Sequence, residues 1–206
     1  VKTFKWSLLS WVVCSSVACG NFPDRDQARI ILKELHASYT SSDLPLIDHA
    51  RLNNPHNIEA RLCMIKALAN VDYFEIRMSQ RSVFLKALRD PQEEIRWWAV
   101  YGLGEMRIPY DDVEVADAIS NLLLNSPNIV IREQAALSLG KIASRLDIDE
   151  KIAEIITTLE KAAHTPGLLL ERKTAVLAMG SVGLKKKELL ADALFRFAEM
   201  QGDAKV

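Results

Sequence analysis

The chain has 206 residues and a net charge of −1; 49 % of its residues are hydrophobic and 26 % charged, the proportions of one globular domain with a continuous core. That balance argues against a nucleic-acid partner, because affinity for phosphates needs a basic excess or a concentrated basic face. The only basic run, Lys185-Lys186-Lys187 beside Gly183, reads as a solvated cluster at a helix end, where the helix dipole favours cations.

Lys2 and Lys5 precede an apolar stretch from Trp6 to Val13, which runs into Cys14-Ser15-Ser16-Val17-Ala18-Cys19. A basic start, a short apolar run and a small-residue junction are the parts of a secretory signal peptide. The run is too short for a lasting transmembrane anchor, which needs about twenty apolar residues. Two cuts fit the junction: an ordinary export cleavage after Ala18, or lipidation of Cys19. Ser16-Val17-Ala18-Cys19 resembles a bacterial lipobox, although serine stands where leucine is usual, and Gly20 to Asp26 would serve as a tether. The expected organisation is a signal peptide over 1–18, a polar tether over 19–24 and a folded domain over 25–202. Loss of Cys14 with the signal and lipid on Cys19 would leave Cys63 alone, expected as a small buried hydrophobe in a helix.

Beyond the tether the pattern is helical throughout. A leading helix is expected near 25–39, then helices near 44–53, 74–89, 112–125 and 149–164, and a closing helix over 187–200. Each of the four middle helices ends at a polar residue followed by proline: Asn54-Pro55, Asp90-Pro91, Ser126-Pro127 and Thr165-Pro166. The polar residue is expected to cap the next helix, with proline in its first position where no amide donor is needed. Behind each pair comes an arginine, Arg61, Arg96, Arg132 or Arg172, at separations of 35, 36 and 40 residues. A period of that size marks stacked helical hairpins.

Counted from each arginine, the third, seventh and tenth residues are apolar and lie on one side of a helix, which makes them the buried stripe. They are Met64, Leu68 and Val71; Ala99, Leu103 and Met106; Ala135, Leu139 and Ile142; and Ala175, Met179 and Val182. The sixth and eighth places hold small residues, among them Gly102, Gly104, Ser138, Gly140, Ala178 and Gly180. Glycine inside a helix is costly unless close packing or a helix end requires it.

The run from Asp90 to Gly104, Asp-Pro-Gln-Glu-Glu-Ile-Arg-Trp-Trp-Ala-Val-Tyr-Gly-Leu-Gly, resembles a HEAT repeat of the type also found in phycobilin lyases. Ser126 to Gly140 and Thr165 to Gly180 match it nearly as well, and Asn54 to Ala69 more loosely. The resemblance covers about residues 44–182. It implies an all-α fold, a right-handed α-α superhelix of about four hairpins plus end helices. The family usually places aspartate six residues before the arginine, and only Asp90 does so here, which puts a regular aspartate–arginine ladder in doubt.

No catalytic constellation stands out. None of His36, His49, His56 and His164 is followed by glutamate, which removes the zinc-protease helix and the His-Glu motifs of HEAT-type iron hydroxylases. No metal and no cofactor are expected; His49, His56 and Asp48 are too few for a zinc site. Gly180 to Lys185 lacks phosphate-loop spacing, and Asp111, Asp112, Glu114 and Asp117 read as a helix start.

The face opposite the buried stripe centres on the fifth place after each arginine, which holds Lys66, Tyr101, Leu137 and Leu177. Trp97 and Trp98 join Tyr101 there. These aromatics, with Leu137 and Leu177, form either a protein-binding patch or ordinary core covered by a leading helix such as 25–39. The sequence as a whole points to a non-catalytic repeat scaffold that binds a protein or peptide, lipid-anchored at Cys19 in a bacterial envelope. The alternative is an enzyme subunit or lyase-like chaperone that binds a tetrapyrrole or its client protein.

Overall fold

The computed structural model describes residues 25–39, 55–70, 74–106, 113–164, 169–183 and 186–202. Among them are nine helices and no strand: α1 (Arg25–Tyr39), α2 (Pro55–Ala69), α3 (Phe74–Ala87), α4 (Glu93–Glu105), α5 (Val113–Asn125), α6 (Ile129–Ala143), α7 (Asp149–His164), α8 (Leu169–Gly183) and α9 (Lys187–Gly202). The fold class is all-α, of the solenoid kind. The helix expected over 44–53, Val71, the cap at Thr165 and the whole signal and tether, Cys19 included, lie outside the described residues. No described helix is long and apolar enough to cross a membrane.

The chain divides into two compact units, Val1–Leu103 and Gly104–Val206. In the first, α1 packs on α2 and α3. Phe84 of α3 is fully buried, and its ring takes the space that a side chain at Gly102 of α4 would need: a Cβ there would lie 2.7 Å from Phe84 Cζ. Gln80 of α3 donates to the Leu68 carbonyl of α2 across this core (3.3 Å).

In the second unit α5 packs on α6 and α7, and α8 packs on α6, α7 and α9. α5 buries Val115, Ala116, Ile119 and Leu123, and α7 buries Ile152, Ile155, Ile156, Leu159 and Ala163, each set on one helical face. The expected stripe of the arginine-bearing helices is buried at every described position: Met64, Ala99, Ala135 and Ala175; Leu68, Leu103, Leu139 and Met179; Met106, Ile142 and Val182.

The small residues have a specific reason. A Cβ at Gly140 would stand 2.7 Å from the Ala178 carbonyl oxygen and 2.9 Å from its Cα; one at Gly104 would stand 2.7 Å from Ser138 Cβ. The eighth place of one repeat thus touches the sixth place of the next. At Gly180, the same place in the last repeat, a Cβ would meet none of the described residues within 4 Å.

The turns differ from the expected caps. Where Asp90 and Ser126 were expected to cap their helices with proline first inside, α4 starts at Glu93 and α6 at Ile129. The cap of α6 is Asn128, whose backbone is extended and whose side chain accepts from the amides of Val130 and Ile131 at 2.8 and 3.3 Å. Proline disfavours helical backbone in the residue before it, so the pair forms a turn ahead of the helix. Asp90 Oδ1 accepts from the Gln92 amide (2.9 Å) and Ser126 Oγ from the Asn128 amide (3.3 Å). α2 begins at its proline, Pro55, and the cap expected at Asn54 lies outside the described residues.

The arginines fasten these turns. Arg96 Nη1 donates to the carbonyls of Asp90 (2.7 Å) and Pro91 (3.0 Å); Arg132 Nη1 repeats this at Ser126 (2.6 Å) and Pro127 (3.2 Å). Arg61 instead reaches forward, its Nε 3.3 Å from Oδ2 of Asp90, a carboxylate 1 % exposed. One rung of an aspartate–arginine ladder is therefore present, where the single matching aspartate stands. Arg172 is exposed, and the turn before α8 lies outside the described residues. Cys63, expected to be buried, is half-buried on α2, because its place beside Leu62 falls between the core stripe and the outer face.

Candidate protein-binding site

α4 positions the aromatic residues. Its inward side is Ile95, Ala99, Val100 and Leu103, all at most 1 % exposed, and this fixes the rotation of the helix. Glu93 and Glu94 in its first turn suit the positive end of the helix dipole. Trp97, Trp98 and Tyr101 then fall together on the flank, and all three are half-buried. The expected choice between core and open patch is answered by an intermediate: the rings shield one another and keep part of their surface in water.

Their geometry is that of one cluster. Trp97 stacks on Tyr101 with ring centres 5.7 Å apart and planes 3° from parallel. Trp98 stands edge-on to both, 4.9 Å from Trp97 and 5.4 Å from Tyr101. Such arrangements match positive ring edges to negative faces, worth about 0.5–1.5 kcal/mol per pair beyond area burial. From α2, Lys66 Nζ sits 5.6 Å from the Trp98 ring centre and 2.8 Å from Glu94 Oε1. An ammonium over an indole face adds about 0.5–1 kcal/mol at an exposed site. The cluster is thus held from below by the core and from one side by Lys66. It offers ring faces and edges for contact.

Leu137 and Leu177 belong to the second unit, on α6 and α8, and are 39 % and 67 % exposed. They occupy the outward fifth place, as expected. Val130, two turns before Leu137 on the same side of α6, is 52 % exposed and extends that apolar row. It precedes Arg132 and so stands outside the repeat counted from the arginine; its signal in the sequence is the seven-residue spacing to Leu137. Lys66 was legible as an outward residue, but its place over Trp98 was not.

Two lysines make ion pairs to residues of neighbouring helices. Lys151, with its side chain 10 % exposed, reaches Asp117 of α5 and Glu154 of its own helix (2.7 Å). Burial works against its charge, yet the hydrogen bonds and charges of Asp117 and Glu154 outweigh it and hold the ammonium above its ordinary 10.5. Lys186 binds Asp149 (2.6 Å), a bond that raises its pKa against slight desolvation; Lys186 of the expected solvated cluster is thus in an ion pair, and Lys185 lies outside the described residues. Among the described residues no three His, Cys, Asp or Glu side chains are grouped to hold a metal ion.

Two overlapping matches to the family model for HEAT repeats, over residues 49–140 and 81–166, cover more than half of the chain. The chain belongs to the HEAT-repeat family. HEAT repeats are generally protein-interaction scaffolds, built to present a surface rather than to enclose a reaction. A comparison with curated proteins finds no match. The HEAT match spans the turns fastened by Arg96 and Arg132 and ends just after α7, so the cluster on α4 sits inside it.

Proposed function

We propose that this HEAT-repeat chain is a non-catalytic scaffold that binds another protein or a peptide through the Trp97, Trp98 and Tyr101 face. The observation that carries this reading is the half-buried cluster itself. Three large aromatic rings, ordered against one another and still partly in water, are the usual anchors of protein interfaces. Leu137 and Leu177 give the second unit a smaller apolar face of the same use. The net charge of −1, and the pairing of Lys66, Lys141, Lys151 and Lys186 with acids, support a protein partner over nucleic acid. The likeness of Asp90–Gly104 to the repeats of phycobilin lyases is read as kinship of fold, with no tetrapyrrole.

The signal-like start and Cys19 support attachment to a bacterial envelope by a lipid, on the outer membrane or the periplasmic face. In that setting, Cys19→Ser releases the protein from membranes, and the intact mass of the membrane form shows acyl chains on a chain that starts at Cys19. A soluble, unprocessed product beginning at residue 1 overturns this part.

The binding reading is tested by replacing Trp97 and Tyr101 together with Ala and comparing partner capture and thermal melting with the parent. Loss of the captured protein with only a modest fall in melting temperature, the size set by the lost ring contacts, is the expected result. A sharp drop in melting temperature, as for core truncations of about 3–5 kcal/mol each, or undiminished capture, refutes it.

A further inference from the structure

In the first unit α2 and α4 are joined by the ion pairs Arg61–Asp90 and Lys66–Glu94, and their flanks follow one pattern. Glu94, Trp97, Trp98 and Tyr101 have the i, i+3, i+4, i+7 spacing of a single helical face; the same places on α2 hold Glu59, Leu62, Cys63 and Lys66. Glu59 is exposed and has no ion-pair partner among the described residues. Arg96, the cation of α4, is turned back onto the carbonyls of Asp90 and Pro91, so the exposed charges beside the rings are those of Glu93 and Glu94. Lys66 shows what these groups hold. Its ammonium lies 5.6 Å from the Trp98 ring centre and 2.8 Å from Glu94 Oε1, a cation seated between an indole and a carboxylate. The Glu94 side chain is 58 % exposed and keeps room for a further donor.

We infer that the protein partner enters this seat with an arginine side chain, whose guanidinium takes the place of Lys66 over Trp98 and donates to Glu94. The inference rests on the reading of the Trp97, Trp98 and Tyr101 face as the binding site. The match is one of charge, because carboxylates flank rings whose own faces are negative. A guanidinium is planar and weakly hydrated, so it stacks on an indole and still reaches a carboxylate with parallel donors. The Lys66 ammonium is compact and strongly hydrated, and its side chain, already 33 % exposed, yields the seat by turning into water. An acidic segment is the poorer partner, since it would set its carboxylates against Glu59, Glu93 and Glu94.

Fluorescence anisotropy of a dye-labelled peptide alternating glycine and arginine, titrated with the full chain, tests the seat. The arginine peptide should bind, the matching lysine peptide more weakly, and the matching glutamate peptide not at all. Glu94→Gln and Trp98→Leu should each weaken binding about threefold or more. Lys66→Met should tighten it, a gain that damage to the fold does not produce. Asp192→Asn, which removes an equal charge from an exposed place on α9, should leave it unchanged. No binding of the arginine peptide by the parent or by Lys66→Met overturns the inference. Equal weakening by Asp192→Asn and Glu94→Gln overturns it too, because it would reduce the binding to unspecific attraction. Either failure, with partner capture still lost on changing Trp97 and Tyr101 together to Ala, leaves the interface reading in place. Undiminished capture by that double variant brings down the interface reading and this inference with it.

Discussion

Gly140→Ala and Gly180→Ala make the same chemical change at the same place in successive repeats, and they should act in opposite directions. Removing glycine from a helix interior gains about 0.8–1.0 kcal/mol in both. At Gly180 nothing described opposes that gain, since a Cβ meets no atom within 4 Å. At Gly140 the Cβ falls 2.7 Å from the Ala178 carbonyl oxygen, 2.9 Å from its Cα and 3.0 Å from its Cβ. Ordinary contact between such atoms needs roughly 3.5–4.0 Å. The opposing atoms are main chain, so no side chain can swing aside, and α8 must move as a body against α7 and α9 as well. Overpacking of this kind costs about 1–3 kcal/mol. The helix gain cancels between the two variants, leaving Gly140→Ala less stable than Gly180→Ala by that same packing cost. For a chain of this size the difference is roughly 2–12 °C in melting temperature, readable by circular dichroism and by urea midpoints. Equal stabilisation by both substitutions would refute the reasoning, because it would mean that α6 and α8 do not approach as closely as these distances state.

Asp90→Ala should cost about 3 kcal/mol in urea unfolding, because it leaves the Arg61 guanidinium without its buried carboxylate; Asp90→Asn should lose less, since it keeps an acceptor for the Gln92 amide, and equal losses would remove the charge from the argument. The raised pKa of Lys151 fixes the sign of an alkaline effect: its contribution is complete below the unfolded value of 10.5 and is lost as pH rises through the higher folded value. Urea midpoints taken from about pH 9 to about pH 12 should therefore fall, Lys151→Met should flatten that fall, and Lys186→Met should flatten it further, the Lys186 shift having the same sign. An unaltered slope in the double variant would exclude both lysines as the source.

The repeat was legible because its signals are local. The helical period placed α3, α5, α7 and the arginine-bearing helices within a few residues, and it named the buried stripe at every described position. The caps were misread because serine or aspartate before proline suits both a cap and a turn ahead of it. Deciding between them required Asn128, two residues on. Ion pairs such as Lys186–Asp149 and Arg196–Glu160, 37 and 36 residues apart, depend on how neighbouring helices are rotated, which periodicity along one helix does not carry. The aromatic cluster was legible as a place on α4. Its half-burial was not, since the three rings cover one another by choice of rotamer and Lys66 arrives from a different helix.

The grip of Arg96 and Arg132 falls on carbonyl oxygens, which every amino acid possesses. The guanidinium's hold is consequently blind to which side chain sits at the corner, provided that side chain accepts from the amide two residues on: aspartate serves in one copy and serine in another. Mutational drift can rewrite those corners while leaving the angle between helices in place, so a duplicated unit of this kind can diverge in what it displays without re-solving how it folds.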